Sequence, residues 1–292
     1  MAPMPSLLDR IPKSLSPERR AALRAAASVG STGFDPWGLH LETAERTADI
    51  ARFLYTHYFR VRTHGIKRVP AGRVMLVANH GGQLPLDGLL VALSMVFEAD
   101  PPRVVRGMVE RWVPSLPIIS TLFTRCGQVT GDPENCAALL QREQAIMVFP
   151  EGVRGSGKTW WNRYQLQELG TGFVRLAMQA NAPIVPVAVI GSEETYPSLY
   201  DARLLAKLMG APYFPVTPFF PLLGALGMLP LPIQIDLHFG EPIQFTGDPD
   251  EPDELTAARV ARVKDTLQGM INSGLDARPE LRALDRYARR GK

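Results

Sequence analysis

Short apolar runs alternate with helical stretches through the middle of this 292-residue chain. The clearest runs are Val74–Ala78, Ala145–Phe149 and Ile184–Ile190. Each is typical of a buried strand, because it is apolar without interruption and contains β-branched residues. Strands of this kind that alternate with helices predict a largely parallel sheet covered by helices. The sequence therefore predicts an α/β fold, as a single domain with a mostly parallel central sheet.

The same patterns predict the elements around these runs. Further strands are predicted at Val104–Val109, Gly127–Thr130 and Ile233–Phe239, and helices at Leu86–Phe97, Pro133–Gln141 and Gly172–Gln179. Val113–Phe123 is one more apolar segment. Pro186 lies inside a predicted strand although proline donates no ladder hydrogen bond. That strand is therefore predicted to lie at an edge of the sheet, to carry a bulge or to end nearby.

The two ends of the chain differ from the middle. Residues 1–38 are punctuated by Pro, Ser and Gly and predict an N-terminal arm with one helix, Pro17–Ala27. Residues 39–250 form the predicted main domain. Residues 251–292 predict a helical tail, and 278–292 carry six basic against two acidic side chains. This basic tail is either a solvated helix or a surface attracted to anionic lipid headgroups.

Two segments of the main domain have sequences that fit either packing in the protein core or contact with a membrane. Residues 39–60 have an amphipathic helical pattern with an aromatic end, which predicts a core-packed helix or one at a membrane interface. Residues 212–232 are strongly apolar but contain six prolines, which forbid a continuous helix. They are either a buried loop on the sheet or an exposed patch that enters a bilayer or lines an acyl-chain groove.

The composition argues against several classes of protein. The net charge of +3, from 32 basic and 29 acidic residues, is too balanced for nucleic-acid binding but fits a mild preference for anionic surfaces. Cys126 and Cys136 form no CxxC pair and are too few for a disulfide framework, which favours a reducing, cytoplasmic setting. The N-terminus has no continuous apolar core of a signal peptide, and no apolar run reaches the ~18 residues of a spanning helix.

The turn after the first apolar run is the first candidate site. It has the sequence Asn79-His80-Gly81-Gly82, and Asp87 opens the next apolar run. In α/β folds, functional groups collect where the carboxyl end of a strand turns into a helix. A histidine, with an ordinary pKa near ~6.5, can act there as an acid or base beside a carboxylate. The turn alone fits a surface histidine equally well.

A second candidate site follows the second apolar run. Gly152–Thr159 has the sequence GVRGSGKT, which matches the phosphate-binding pattern G-x-x-x-x-G-K-[ST]. Lys158 and backbone N–H groups would then hold phosphates, and Thr159 a magnesium ion. Against this, several strand–helix units come before the loop, and WWNRY after it is a poor start for a helix. A P-loop nucleotide-binding protein is therefore an alternative hypothesis.

Three motifs together resemble the PlsC-like glycerolipid acyltransferase family, which comprises lysophospholipid and 1-acylglycerol-3-phosphate acyltransferases. They are NHGGQLPLD at 79–87, FPEGVR at 149–154 and IVPVAV at 184–189, in the order of the family's boxes. The first is similar to the NHxGQLPxD box of one branch, so its carboxylate is Asp87, and Pro85 stands where the usual HxxxxD box has aspartate. The family's glycine box ends in an arginine, which residues 127–135 lack.

The resemblance implies a reaction and roles for named residues. A fatty acyl chain would pass from acyl-CoA or an acyl-carrier protein to a hydroxyl of a glycerolipid or lysophospholipid, with no permanently bound cofactor or metal. His80 is the expected general base and Asp87 its orienting partner. The other expected contacts are with substrate at Asn79, Gly81, Gly82, Glu151, Gly152 and Arg154, and with phosphate or coenzyme A at Arg125, Lys158 and Arg163.

The resemblance also implies where the protein acts. The expected partners are an anionic membrane surface, the lipid acceptor and an acyl-carrier protein, and no nucleic acid. The expected location is cytoplasmic, peripheral on the inner face of the membrane. A non-catalytic lipid-binding relative is a further alternative, because two features of the family are altered.

Overall fold

A computed structural model describes residues 14–27, 29–82, 85–110, 119–210 and 212–290. The strands of these residues are β1 (Arg62–His64), β2 (Val74–Ala78), β3 (Val105–Val109), β4 (Val129–Thr130), β5 (Ala145–Val148), β6 (Ile184–Ile190), β7 (Tyr200–Asp201), β8 (Pro215–Val216) and β9 (Asp236–Phe239). Within the described part, a seven-stranded sheet has the order β1-β9-β6-β2-β5-β3-β4, and β7 and β8 pair separately.

Helices cover both faces of this sheet. They are α1 (Pro17–Ala26), α2 (Leu41–Phe53), α3 (Leu86–Phe97), α4 (Ile119–Arg125), α5 (Pro133–Gln141), α6 (Val153–Ser156), α7 (Gly172–Gln179), α8 (Ser192–Thr195), α9 (Arg203–Leu208), α10 (Asp253–Asp276) and α11 (Pro279–Arg290). A π-helical turn, Leu54–Tyr58, extends α2, and 3-10 turns lie at Ile66–Arg68, Trp160–Asn162 and Gly224–Met228. Among the described residues, no helix combines the length and the apolar character needed to cross a membrane.

Strand β2 lies at the centre of the sheet. It pairs in parallel with β5 on one side and with β6 on the other. β3 and β4 continue the parallel order beyond β5, whereas β9 runs antiparallel to β6. The predicted α/β fold with a mostly parallel sheet is confirmed. Because adjacent parallel strands end at the same edge, the turns after β2, β5 and β6 meet there although they are far apart in the sequence.

The side chains of β2 alternate between two apolar cores, as a strand that is buried on both faces requires. Val74, Leu76 and Ala78 pack on one face with α2 and α3. Met75 and Val77 pack on the other face with α5, α7 and α10. This double burial fixes the end of β2 relative to its two neighbours.

Most of the predicted elements are confirmed. Helices α3, α5 and α7 have the predicted bounds, and β3, β4, β5 and β9 are shorter than predicted by one to three residues. Residues 39–60 form a core-packed helix, since Ala48, Ala51 and Tyr55 are buried, while Phe53 near the end of α2 stays exposed. The predicted apolar segment Val113–Phe123 lies partly outside the described residues, and α4 covers its end.

Pro186 does not lie at an edge of the sheet, because β6 is paired on both sides. The alternative of a bulge is confirmed. The ladder pairs Val187 with Phe239, but the next bridge joins Ile184 to Ile243, so the returning chain has one extra residue. Gly240 donates its N–H to the Pro186 carbonyl, and a Cβ on Gly240 would lie 2.8 Å from the proline ring. The bulge therefore accommodates a proline in a central strand.

The ends of the chain are docked on the main domain. Arg19 on α1 donates to the carbonyls of Val96 and Ala99, and Arg20 pairs with Glu45 on α2. The predicted arm therefore packs on the domain over the part that is described; residues 1–13 lie outside the described residues.

The predicted basic tail is partly neutralised. Helix α11 buries Asp285, which pairs with Arg282 and Arg289. Arg278 pairs with Asp236 on β9 at 2.6 Å and with Glu280 at 2.5 Å. The tail is therefore part of the fold, and three of its arginines already have carboxylate partners.

Candidate active site

Asn79 ties the end of β2 to β6. Its side-chain amide donates to the Val189 carbonyl at 3.1 Å and accepts from the Val189 N–H at 2.7 Å. The residue is fully buried. The expectation that Asn79 contacts substrate is therefore wrong; its amide completes the sheet where two parallel strands diverge.

His80 and Asp87 form a hydrogen-bonded pair despite the long spacing between them. His80 Nδ1 lies 2.5 Å from Asp87 Oδ2. The Gly81 N–H donates to the same carboxylate oxygen at 2.9 Å, and the Gly88 N–H donates to the other at 2.7 Å. Asp87 lies fully buried in the first turn of α3, where the helix N-terminus favours a negative charge. The carboxylate therefore faces the imidazole; Gln83 and Leu84 of the same box lie outside the described residues.

The surroundings of the His80 ring suit a base. Its side chain is 15% exposed, and the ring packs against Phe149 with centroids 4.5 Å apart. Burial would lower the pKa of His80, but the charge and hydrogen bond of Asp87, with a contribution from Glu151, raise it above its usual value. Because Asp87 engages Nδ1, Nε2 carries the lone pair in the neutral form and is the atom that can take a proton.

Glu151 of the FPEG motif orders the turn that carries His80. Its Oε1 accepts the backbone N–H of His80 at 3.0 Å, and its Oε2 accepts the N–H of Gln167 at 2.8 Å. The side chain is almost fully buried. Gly155 fits between the two residues, since a Cβ there would lie 2.8 Å from the Cβ atoms of both His80 and Glu151. Glu151 therefore joins the ends of β2 and β5.

Lys158 compensates the charge of Glu151 inside the protein. Its Nζ lies 3.3 Å from Glu151 Oε2 and 3.0 Å from Glu193 Oε1. Burial would lower the pKa of Lys158, but the two carboxylates raise it, so the ammonium stays charged. Glu193 comes from the turn after β6 and also accepts the Tyr164 N–H. The expected contact of Lys158 with a donor phosphate is corrected: the residue is an internal counter-ion that links three strand ends.

Two other cations expected to bind phosphate lie elsewhere. Arg163 is buried, stacks on Trp160 at 3.6 Å from the ring centroid, and lies 3.9 Å from Glu194. Arg125 ends α4 beside β4, and its carbonyl accepts the His40 N–H. β4 is three strands from β2, which corresponds to ~14 Å across the sheet. Burial removes the Arg163 guanidinium from the surface, so its expected contact with phosphate is wrong, whereas the contact of Arg125 stays a prediction.

The predicted glycines serve packing and turns. A Cβ on Gly81 would lie 2.7 Å from Ser192 Oγ, and Gly82 has a φ of +85°. The Gly81 N–H is used by Asp87, so it does not face a reacting carbonyl. Gly152 has a φ of +55°, and its N–H donates to the Phe149 carbonyl. These glycines therefore shape the site and allow its close contacts.

Arg154 is exposed at the site, as its proposed role requires. Its Nη1 donates to Glu168 Oε2 at 2.9 Å, and the two side chains are 59% and 81% exposed. Glu110, which follows β3, reaches the same region: a Cβ on Gly152 would lie 3.2 Å from Glu110 Oε1. The guanidinium at the surface is therefore paired with one carboxylate, that of Glu168, and Glu110 lies against Gly152, two residues before Arg154.

The hypothesis of a nucleotide-binding loop is wrong. Gly152–Thr159 contains only the four-residue helix α6, and a 3-10 turn follows in place of a long helix. The Lys158 ammonium is buried between two glutamates and does not line an open cradle. The described residues also contain no group of three His, Cys, Asp or Glu side chains placed to hold a metal ion.

Sequence reasoning missed several residues of the site. Phe149 and Gly155 lie within or beside the FPEG motif, but their contacts with the His80 ring and Cβ depend on the fold. Glu193 lies two residues after Gly191 at the end of β6, so the rule that parallel strand ends meet at one edge could have found it. No signal in the sequence indicates that Tyr164, which has a positive φ of 55°, donates its hydroxyl to Glu194.

The buried position of Lys158 leads to a testable prediction. Lys158→Met leaves Glu151 and Glu193 without their counter-ion, and removing one partner of a buried ion pair costs about 3–5 kcal/mol. We expect that loss in the free energy of unfolding, measured by urea denaturation. Lys67→Met, at an exposed lysine in the 3-10 turn Ile66–Arg68, is the matched control and should change it by less than about 0.5 kcal/mol. Equal effects of the two substitutions would show that Lys158 is not a structural counter-ion.

Comparison with known proteins agrees with this geometry. Residues 60–190 match the family model described as Acyltransferase. An uncharacterized protein of Mycobacterium leprae is 40% identical over 255 residues, which cover 85% of this chain and 68% of that protein. A protein of Mus musculus named "DGAT1/2-independent enzyme synthesizing storage lipids" is 26% identical over 239 residues, which cover 78% of this chain and 65% of that protein.

A solved structure has the same fold. It is the crystal structure of the 1-acyl-sn-glycerophosphate (LPA) acyltransferase PlsC from Thermotoga maritima, with a TM-score of 0.50 over 87% of each chain. The sequences are 13% identical, so this likeness concerns the fold alone. The family model and the relatives, together with the shared fold, establish that this chain belongs to the acyltransferase family.

Proposed function

We propose that this protein is an O-acyltransferase that moves a fatty acyl chain from a thioester to a hydroxyl of a glycerolipid, with His80 as the general base. The observation that carries the proposal is the 2.5 Å contact between His80 Nδ1 and Asp87 Oδ2. It lies at the sheet edge where α/β folds place their functional groups. Acyl-CoA or an acyl-carrier protein is the proposed donor.

The pair can handle the one proton that the reaction must move. Neutral His80 accepts the hydroxyl proton on Nε2 while the hydroxyl oxygen forms a bond to the thioester carbonyl carbon. The C–S bond then breaks, and the imidazolium gives the proton to the departing thiolate, which leaves an ester and a free thiol. Asp87 stabilises the imidazolium and keeps the proton on Nδ1. The alcohol itself is the nucleophile, so no acyl-enzyme is formed.

The charges around the site support an acceptor without a phosphate. Within the described part of the FPEG region, Arg154 is the exposed cation, and it pairs with Glu168; the Glu110 carboxylate lies against nearby Gly152. Lys158 is balanced inside the protein by two carboxylates. These groups leave no excess positive charge for a phosphomonoester. We therefore propose a neutral glyceride as acceptor; the name of the mouse relative, which concerns storage lipids, points the same way.

A panel of acceptors tests the reaction and the acceptor together. Protein, labelled acyl-CoA and each acceptor are incubated, and products are identified by mass spectrometry. We expect acylation of mono- or diacylglycerol and none of lysophosphatidate or glycerol 3-phosphate. His80→Ala should lower transfer by about 10²–10⁴-fold, because it removes the general base. His57→Ala, at an exposed histidine in the π-helical turn after α2, should keep the parent rate.

The possible results separate the hypotheses. Transfer that survives in His80→Ala at the parent rate would contradict the assigned base. Acylation of lysophosphatidate alone would contradict the neutral acceptor and leave the reaction type standing. Tight binding of lipids by the parent without any product would favour the non-catalytic relative.

The pKa of His80 gives a prediction for the pH profile. The base must be neutral, so the rate falls as pH decreases through the pKa of His80. Because Asp87 raises this pKa above 6.5, the acid limb of kcat/KM should lie above pH 6.5 in the parent. In Asp87→Asn the carboxylate charge that raises the pKa of His80 is lost, while burial still lowers this pKa. The acid limb of kcat/KM should therefore move to lower pH, and the maximal rate should drop. Identical limbs in both proteins would mean that Asp87 does not tune His80.

A further inference from the structure

Residues 191–235, which connect β6 to β9, carry an unusual concentration of exposed apolar side chains. Of the 20 large apolar side chains exposed in the described residues, 12 lie in this connection. These twelve, here called the apolar surface, are Leu199, Tyr200, Leu204, Leu205, Leu208, Met209, Phe219, Leu222, Leu223, Leu226, Met228 and Leu229. A concentration of this size marks an interaction site, because water-exposed apolar side chains are otherwise scattered.

The backbone beneath the apolar surface is held in place. β7 and β8 pair, and the hydrogen bond from Leu199 N–H to the Val216 carbonyl extends their ladder. The Tyr196 hydroxyl donates to the Met228 carbonyl at 2.7 Å, and the Tyr58 hydroxyl donates to the Pro230 carbonyl at 2.6 Å. The Tyr58 bond anchors the C-terminal end of the connection to the main domain, and the Trp160 N–H, which donates to the Ser198 carbonyl at 2.6 Å, anchors its N-terminal part. The side chains are therefore exposed on a formed surface. Of the two predictions for residues 212–232, the exposed patch is the one that the structure supports.

The connection that carries the apolar surface adjoins the proposed catalytic pair. Tyr213, between α9 and β8, hydrogen-bonds Ser156 of α6, and a Cβ on Gly157 would lie 3.4 Å from its ring. α6 itself lies against His80, since a Cβ on Gly155 would lie 2.8 Å from the Cβ of His80. At the other end of the connection, a Cβ on Gly82 would lie 3.2 Å from the Ser192 carbonyl oxygen.

The chemistry of the apolar surface fits a lipid bilayer. Leu222 is 85% exposed and Leu208 is 76% exposed, so these side chains protrude and do not line a groove. The charged residues of 196–232 are Asp201, Arg203 and Lys207, and the first two pair with each other at 3.5 Å. Protruding leucines with little net charge match an acyl-chain layer, whereas a charged partner protein would need complementary charges.

We infer that the apolar surface docks the protein onto a bilayer and thereby sets His80 beside the headgroup layer, where the hydroxyl of a glyceride lies. The role of this placement in catalysis rests on the proposed function; the docking itself does not.

Two other membrane contacts expected from the sequence are less suited to docking on a bilayer. The basic tail has three paired arginines, and α2 packs into the core. Since insertion is apolar, docking requires no anionic lipid and is only weakly screened by salt.

Co-sedimentation of the full chain with phosphatidylcholine vesicles tests the inference. The parent should bind in both low and high salt. The double variant Leu222→Asp/Leu226→Asp should bind at least about tenfold more weakly, since each leucine loses its transfer into lipid. Leu255→Asp, on α10 and 55% exposed, is the matched control and should bind as the parent does. Transfer to a short-chain, water-soluble acceptor should be the same in all three proteins, which shows that the double variant is folded.

Other outcomes overturn the inference. The inference is wrong if the double variant binds vesicles as the parent does. It is also wrong if Phe53→Asp, at the end of α2, abolishes vesicle binding. A parent that forms a dimer dispersed by the double variant, without binding vesicles, would identify the apolar surface as a contact between copies. His80→Ala should keep vesicle binding while it loses transfer, so failure of the docking and failure of the proposed reaction give different results.

Discussion

The hydrogen bond from the His80 N–H to the Glu151 carboxylate is the contact on which the site depends. It fixes the turn after β2 to the turn after β5, but it requires a buried carboxylate. That carboxylate is retained only because Lys158 compensates it, and Lys158 in turn requires Glu193 from the turn after β6. Three strand ends are thus joined by one group of buried charges. Gly81 and Gly155 have to be glycines because the turns lie so close together that a Cβ at either position would lie under 3 Å from a neighbouring side chain.

The catalytic pair and the apolar surface belong to one arrangement. Asp87 is hydrogen-bonded to Nδ1 of His80, so Nε2 is the nitrogen that can accept a proton in the proposed reaction. The connection between β6 and β9 begins at the turn that supplies Glu193 and contributes Tyr213 beside α6. The lipid acceptor of the proposed reaction would reach the site from a membrane, and the connection that carries the exposed leucines also contacts α6 beside His80. The inferred docking would therefore bring the acceptor to the proposed site, although the two share no residues and the docking does not depend on the reaction.

The fold could be predicted from the sequence because buried parallel strands leave a distinct signal. The runs at β2, β5 and β6 are apolar on both faces, and glycine-containing turns separate them from helices. The bulge beside Pro186 was predictable as one of three possibilities, since a proline has no N–H to donate and leaves an acceptor on the neighbouring strand unmatched. The pairs of Asp285 with Arg282 and Arg289 have the three- and four-residue spacing of neighbours on a helix. The pair of Arg278 with Asp236 on β9 was not predictable, because only the fold brings these residues together.

The site was predictable in part. His80 and Asp87 follow from the resemblance, and the structure brings them together. Lys158 and Arg163 were expected to bind phosphate because a cation near a glycine-rich motif has the same appearance in a sequence whether it is solvated or buried. Burial decides between these cases, and it depends on glutamates that come from another strand. The contact of Arg125 with a phosphate stays a prediction, because nearness to a motif along the chain does not give the order of strands across the sheet.

The central claim is that Asp87 prepares His80 to act as a base, and an NMR titration of the His80 ring tests it most directly. Nitrogen shifts of the imidazole report both the pKa and the nitrogen that carries the proton. The account predicts a pKa above 6.5 and a neutral form protonated on Nδ1, with the pKa falling in Asp87→Asn. A His80 that titrates below 6.5, or whose neutral form carries the proton on Nε2, would contradict it.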